Sequence, residues 1–327
     1  VIETNNLLQE INREQQKEGS GGSWGLGTTV YFRIGDGLVL YYSRIREDGI
    51  FQSRLAACMV EDEQQSGCVI PRANDWSGPS GIAWWGEQNQ NFPEEILPLT
   101  GESDIREILD LFGIPPFEGE ETGTVIIIPY INEEKLLEHN RQSYHEEDAP
   151  LPYWYRNIET YLEIALQRWY APRLDNQYYT DCFPDRARLE AFVNGKEITT
   201  SVFAPVFRYI QKLYNKAIGA SDPFLELFHR IEPECLDIST KGVLEKSAAG
   251  TFCFYSFTRE QLQMNAPDHL PDPYTFTGIQ NHSPAGNSPI VTYVRKPGMI
   301  INYENSGPWV YGVPATEKDT YLIGVFA

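Results

Sequence analysis

Gly19-Ser20-Gly21-Gly22-Ser23-Trp24-Gly25-Leu26-Gly27 runs directly into Thr28-Thr29-Val30-Tyr31-Phe32, the start of an apolar helical stretch ending near Ile34. Glycines this dense before a helix free the backbone to take positive φ and to turn successive amides toward one point. Such a point suits an anion, because exposed N–H donors and the positive end of the helix dipole act together there. The segment is therefore the main pointer to function, and Gly21, Gly22, Ser23, Trp24, Gly25, Leu26, Gly27, Thr28 and Thr29 are the candidate ligand-binding residues.

Gly22 to Thr29 follows the spacing of a P-loop, but Thr28 stands where that motif needs its lysine. A P-loop also leaves a buried strand, whereas Gln9 to Glu18 is polar and reads as a helix or lid. The downstream pattern differs as well. Leu38-Val39-Leu40-Tyr41-Tyr42-Ser43-Arg44-Ile45 and Phe51 to Val60 flank Arg46-Glu47-Asp48-Gly49, which predicts a β-hairpin. Thr122-Gly123-Thr124-Val125-Ile126-Ile127-Ile128-Pro129 predicts a further strand.

In that order, polar lid, glycine loop, helix, hairpin and Gly-Thr strand, the chain resembles the later half of the GHKL (Bergerat-fold) ATPase domain. That superfamily includes type II topoisomerase ATPase subunits, heat-shock-90-class chaperones, mismatch-repair ATPases and MORC-like proteins. The resemblance implies ATP and Mg²⁺ as cofactors, with the phosphates under the amides of residues 21–27, a hydroxyl of Thr28 or Thr29 assisting, and Thr124 on the adenine side. It implies a homodimer whose closure follows nucleotide state, in DNA-transaction or defence systems. The family's general-base glutamate, its Mg²⁺-binding asparagine four residues later and its Asp-x-Gly-x-Gly strand end have no counterpart in this sequence. The expectation is thus a fragment or trimmed product that lacks the front of the ATP domain and hydrolyses ATP negligibly. A degenerate fold kept as a scaffold is the competing reading.

The expected fold class is α+β: a partial Bergerat-type α/β sandwich over residues 1–135, with an insertion at about 62–122, then a transducer-like α/β domain over 136–327. Within the insertion, Ile105, Ile108, Leu109 and Phe112 keep helical spacing, with Ser103 as the expected N-cap and Gly113 as the stop. Its tryptophans Trp76, Trp84 and Trp85 are expected to pack under a long loop or to stack on a nucleotide or a partner. In the second half, Trp154, Ile158, Tyr161, Leu162, Ala165, Leu166 and Trp169 predict one buried helical face. Asn194-Gly195 predicts a type I′ hairpin, and Pro205 opens a helix stopped by Gly219. Strands are expected at 251–257, 289–295, 298–303, 309–313 and 320–326.

A formal net charge of -20 argues against direct binding of nucleic acid, since phosphate contacts need clustered Lys and Arg. No apolar run is long enough for a membrane helix, so a cytoplasmic, membrane-free protein is expected. Cys58, Cys68, Cys182, Cys235 and Cys253 show no C-x-x-C spacing and read as reduced core thiols. His139, His145, Glu146, Glu147 and Asp148 match no metal motif and read as a solvated linker, so no metal ligand is assigned. Lys241, Lys246 and Lys296 are candidates by type for the transducer lysine that the resemblance implies. Arg295-Lys296-Pro297-Gly298-Met299 is either a plain turn or a functional loop.

Overall fold

A computed structural model describes residues 27–61, 69–70, 81–92, 95–142, 151–220, 232–239, 248–295, 297–308 and 310–327. The class is α+β. The chain divides into two compact units, residues 1–136 and 137–327.

The first unit is built on a four-stranded antiparallel sheet. Helix α1 (Gly27–Ile34) leads into β1 (Leu38–Glu47) and β2 (Ile50–Val60); β3 (Ile82–Trp85), α2 (Glu102–Leu111) and β6 (Gly123–Ile127) follow. Between β3 and α2 lies a short ribbon of β4 (Glu87–Gln88) and β5 (Ile96–Leu97). The sheet order is β3-β2-β1-β6. The expected hairpin is present: Glu47 pairs with Ile50, and Asp48 (φ 50) and Gly49 (φ 81) both take the left-handed conformation that a type I′ turn requires.

Side chains alternate across this sheet, and both faces are covered. Leu40, Tyr42, Leu55, Ala57 and Ile127 pack with Ile105 and Leu109 of α2, whereas Val39, Tyr41 and Ala56 pack with Tyr31 and Phe32 of α1. Double coverage explains why β1 and β2 read as nearly continuous apolar runs. Helix α2 is capped by Gly101, two residues before the expected Ser103, and no side chain accepts a capping bond. Gly113 (φ 64) does end it. The insertion is more regular than its Pro and Gly content implies, because β3 completes the sheet as an edge strand.

In the second unit, α3 (Glu133–Gln142) crosses the division between units, and α4 (Ile158–Tyr170), α5 (Gln177–Cys182), the β7–β8 hairpin (Phe192–Val193, Lys196–Glu197) and α6 (Pro205–Ala217) follow. Then come β9 (Glu234–Ser239), β10 (Ala248–Thr258), α7 (Pro273–Thr277), β11 (Ile290–Arg295), β12 (Met299–Glu304) and β13 (Thr320–Phe326). The five strands are ordered β12-β11-β13-β10-β9, with β11 and β13 parallel and the other pairs antiparallel. α6 packs on β10 and β13, and α4 on β12. Asn194 (φ 49) and Gly195 (φ 76) form the expected turn, and Gly219 (φ 78) follows α6 as its stop.

Four expectations are corrected here. Trp154 lies before α4 in a 3₁₀ turn, fully buried and stacked on Phe276 at 4.8 Å. The buried side of α4 centres on Ile164 and Gln167, leaving Leu162 and Trp169 exposed. A polar residue in the buried stripe had disguised its direction. Residues 310–312 form turns where a strand was expected, while β9, a mixed acidic and apolar segment, was not anticipated. Finally, Cys235 and Cys253 form a disulfide between directly opposed positions of β9 and β10, with Cα atoms 4.1 Å apart. Strand register created that proximity, and no sequence spacing encodes it. Cys58 and Cys182 are free thiols.

Buried amides join the helices of this unit. Gln167 Oε1 accepts from Ala204 N at 2.8 Å. Gln211 Nε2 of α6 donates to the carbonyls of Ala171 (2.6 Å) and Leu174 (2.8 Å), just past the C-terminal end of α4. Asn176 Nδ2 donates to Pro172 O (2.6 Å) and Asn215 Oδ1 (2.7 Å). These bonds satisfy the buried N–H of Ala204, just before α6, and the carbonyls of Ala171, Pro172 and Leu174, just after α4. Replacing Gln211 by Met keeps volume but strands two buried acceptors, so urea unfolding of Gln211→Met should show a loss of about 2–4 kcal/mol. A loss below about 0.5 kcal/mol, typical of neutral surface changes, would show these bonds to be dispensable.

Candidate functional site

Gly21 to Leu26 lie outside the described residues, so the loop itself is not placed. Gly27, Thr28 and Thr29 form the first turn of α1. Thr124 lies on β6, exposed to solvent. Cross-strand partners share a face of a sheet, and the register therefore relates these elements. Tyr41, which packs with α1, pairs with Ile126; two residues along, Ser43 pairs with Thr124 on β6 and with Arg54 on β2. Thr124, Ser43 and Arg54 thus form a row on the face that α1 covers.

The course of α1 follows from its contacts. A Cβ on Gly35, just after the helix, would stand 2.7 Å from Pro129 O and 2.9 Å from Ile128 Cγ2. Tyr31, one turn earlier, and Phe32 pack with Val39, Tyr41 and Ala56, one pleat from the Ser43 row on the same face.

Neither Ser43 nor Arg54 was singled out from sequence. Arg54 is 2% exposed; its Nη2 donates to Gln52 Oε1 at 2.8 Å and reaches Glu47 Oε2 at 3.4 Å. A guanidinium keeps its charge throughout the accessible pH range. Ser43 is 1% exposed and its Oγ has no hydrogen-bond partner among the described residues, so this hydroxyl would gain from an acceptor or donor supplied by a ligand. The available signal was positional: Ser43, Gln52 and Arg54 interrupt apolar strands, and local rule-breaking of this kind concentrates at functional sites.

Other candidates separate. Lys241, Lys246, Lys296, His145, Glu146, Glu147, Asp148 and Trp76 lie outside the described residues, as does the side chain of His139. Between β11 and β12, Gly298 N donates to Arg295 O at 2.7 Å, and Pro297 O accepts from Arg173 Nη1 at 3.4 Å. Trp84 and Trp85 stand on the edge strand β3, 36% and 49% exposed, and do not pack as core. Among the described residues no group of three or more His, Cys, Asp or Glu side chains is placed to hold a metal ion. No helix there is long and apolar enough to cross a membrane.

No protein-family model, curated protein or solved structure matches this chain. Functional argument therefore rests on the chemistry of the face under α1.

Cys58 reports on the cover over that face, because it shares it with Val39 and Trp84. Burial pushes its thiol from an ordinary 9.0 up to about 12, and burial likewise raises Tyr41. A raised folded-state pKa contributes stability that is present below the unfolded value and lost as pH rises through the folded one. The window is therefore about pH 9 to 12. Wild type should lose urea resistance across that range more steeply than Cys58→Ala, and native Cys58 should resist iodoacetamide at pH 8 while reacting in urea. Rapid native alkylation would contradict the covered face.

Proposed function

We propose that this chain is part of an ATP-binding protein of GHKL type, in which the first unit contributes to the nucleotide site and the second acts as a transducer. The Bergerat likeness of the first unit belongs to this proposal. The supporting observation is the common face shared by α1, entered from the glycine-rich segment, and the row Thr124–Ser43–Arg54.

The residues fit a phosphorylated ligand. Backbone amides of residues 21–27 would bind phosphate oxygens, and Arg54 would supply the fixed positive charge that Thr28, in place of a lysine, does not. Thr124 stands two strand spacings from Arg54, about 10 Å, a span suited to meeting the base side of a nucleotide whose phosphates lie nearer β2. Mg²⁺, when bound, would neutralise phosphate charge; with no cluster of protein ligands among the described residues, the nucleotide's own oxygens and water would carry most of its coordination. Preorganised donors and positive charge account for positioning. Activation of water has no assigned base in this sequence, so binding is expected without appreciable hydrolysis.

Cytoplasmic location is part of the same proposal; the Cys235–Cys253 disulfide counts against it, since such bridges are rare in reducing compartments.

Isothermal calorimetry with ATP and with ADP, each with and without Mg²⁺, tests the reading. Weak, Mg²⁺-sensitive binding is expected; Thr124→Val should weaken it severalfold and Arg54→Gln at least tenfold, about 1.4 kcal/mol. Arg54→Lys, which keeps the charge, should retain part of the affinity. Absence of heat at millimolar nucleotide, with the fold intact by circular dichroism, would leave the scaffold reading instead.

A further inference from the structure

The β4–β5 ribbon projects from the edge of the first sheet. β3 pairs with the outer edge of β2 through Trp85–Ala57 to Ile82–Val60, and the chain returns to that edge at Leu99, which exchanges two backbone bonds with Leu55 (3.0 and 2.7 Å). Between those anchor points, among the described residues, Glu87 pairs with Leu97 and Gln88 with Ile96 in a separate two-stranded sheet. A Cβ on Gly86 would collide with Leu97 O, so the base of the ribbon is tightly packed. Its far end is ordered by Asn89 N to Glu95 O (3.0 Å), Glu95 N to Phe92 O (2.9 Å) and Asn89 Nδ2 to Glu95 Oε2 (2.9 Å).

This arm is apolar where it is most exposed. Trp84, Trp85, Phe92, Ile96 and Leu97 are all at least 36% exposed, and the ribbon's two residue pairs set one exposed aliphatic on each face. An isolated two-stranded ribbon is marginal in water, and clustered exposed apolar groups mark interaction surfaces. Charge selects the occupant. From Ala73 to Ile105 the sequence holds Asp75, Glu87, Glu94, Glu95, Glu102 and Asp104 and no Lys or Arg. Nucleic acid and anionic lipid are repelled by such a surface, and a second copy of a chain with net charge -20 meets like charge.

We infer that the 86–98 arm docks a cationic protein segment, one that alternates apolar side chains with Lys or Arg. The apolar side chains lie against Trp85, Phe92 and the exposed aliphatic of one ribbon face, and the basic ones meet Glu87 and Glu95, with cation–π contact to Trp85. Complementary charge sets the choice of partner, and aromatic burial the lifetime of the complex. The inference is independent of the nucleotide reading.

The test uses fluorescence anisotropy with three labelled peptides of equal length: alternating Lys-Val, all-Lys and alternating Glu-Val. Wild-type protein should bind Lys-Val at least tenfold more tightly than all-Lys, and Glu-Val not at all. The double variant Trp85→Ser, Phe92→Ser should lose at least tenfold for Lys-Val, and Glu87→Gln severalfold, each with an unchanged thermal melting curve because the sites are exposed. Equal binding of Lys-Val and all-Lys, unaffected by Trp85→Ser, Phe92→Ser, would mean general surface charge and overturn the inference. No binding of any peptide would also overturn it. So would sedimentation equilibrium showing a wild-type dimer that the double variant converts to monomer, since the arm's occupant would then be a second copy.

Discussion

The register of β1 against β2 is the constraint on which the first unit depends. Ten residue pairs follow from one two-residue turn, because Asp48 and Gly49 accept positive φ and close the hairpin without offset. A slip of one residue would reverse the side chains of β2 against those of β1, sending Leu55 to the α1 side and Arg54 into the apolar layer beneath α2. Arg54 there would be a buried charge among Leu and Ile, at a cost of several kcal/mol. The hairpin register thus fixes both what forms the core and which polar groups meet the face that α1 covers.

The second unit solves a different problem. The chain leaving α4 is buried at Ala171 and Leu174, where water cannot reach their carbonyls, and the side-chain amides of Gln211 and Asn176 bond the carbonyls of Ala171, Leu174 and Pro172 in its place. Gln167 does the same for the N–H of Ala204, immediately before α6. Each amide both needs and supplies a partner, so the helices are locked in relative position as well as packed. Apolar contacts alone tolerate sliding; directional bonds between α4, α5 and α6 do not.

Punctuated elements were legible in the sequence. Asp48-Gly49, Asn194-Gly195, Pro205 and Gly219 act through their own backbone preferences, so the structures they impose need no tertiary context. Elements set by tertiary context were not legible. The inward side of α4 was misread because Gln167 is polar, and its burial is stable only once Ala204 is nearby. β9 carries Glu234 and Asp237 on an exposed edge, a composition with little strand character until β10 supplies its ladder. The Cys235–Cys253 pair likewise exists only through that ladder. At the candidate site the helix, hairpin and Gly-Thr strand could be read, whereas Ser43 and Arg54 could not, because their convergence depends on registers between three strands.

Electrostatics draws these features together. A chain of net charge -20 repels polyanions at long range, yet that field is screened within about 8 Å at physiological ionic strength. Near contact, local geometry prevails: Arg54 is buried on the covered face and shares its charge with Glu47, 3.4 Å away, so carboxylates elsewhere on the surface act on it weakly. The acidic arm works in the opposite sense, since its charges stand in water beside exposed tryptophans and act on what approaches from outside. A small anion admitted beneath α1 and a cationic segment held at the sheet edge are therefore compatible in one unit, because burial separates the two fields more effectively than distance does.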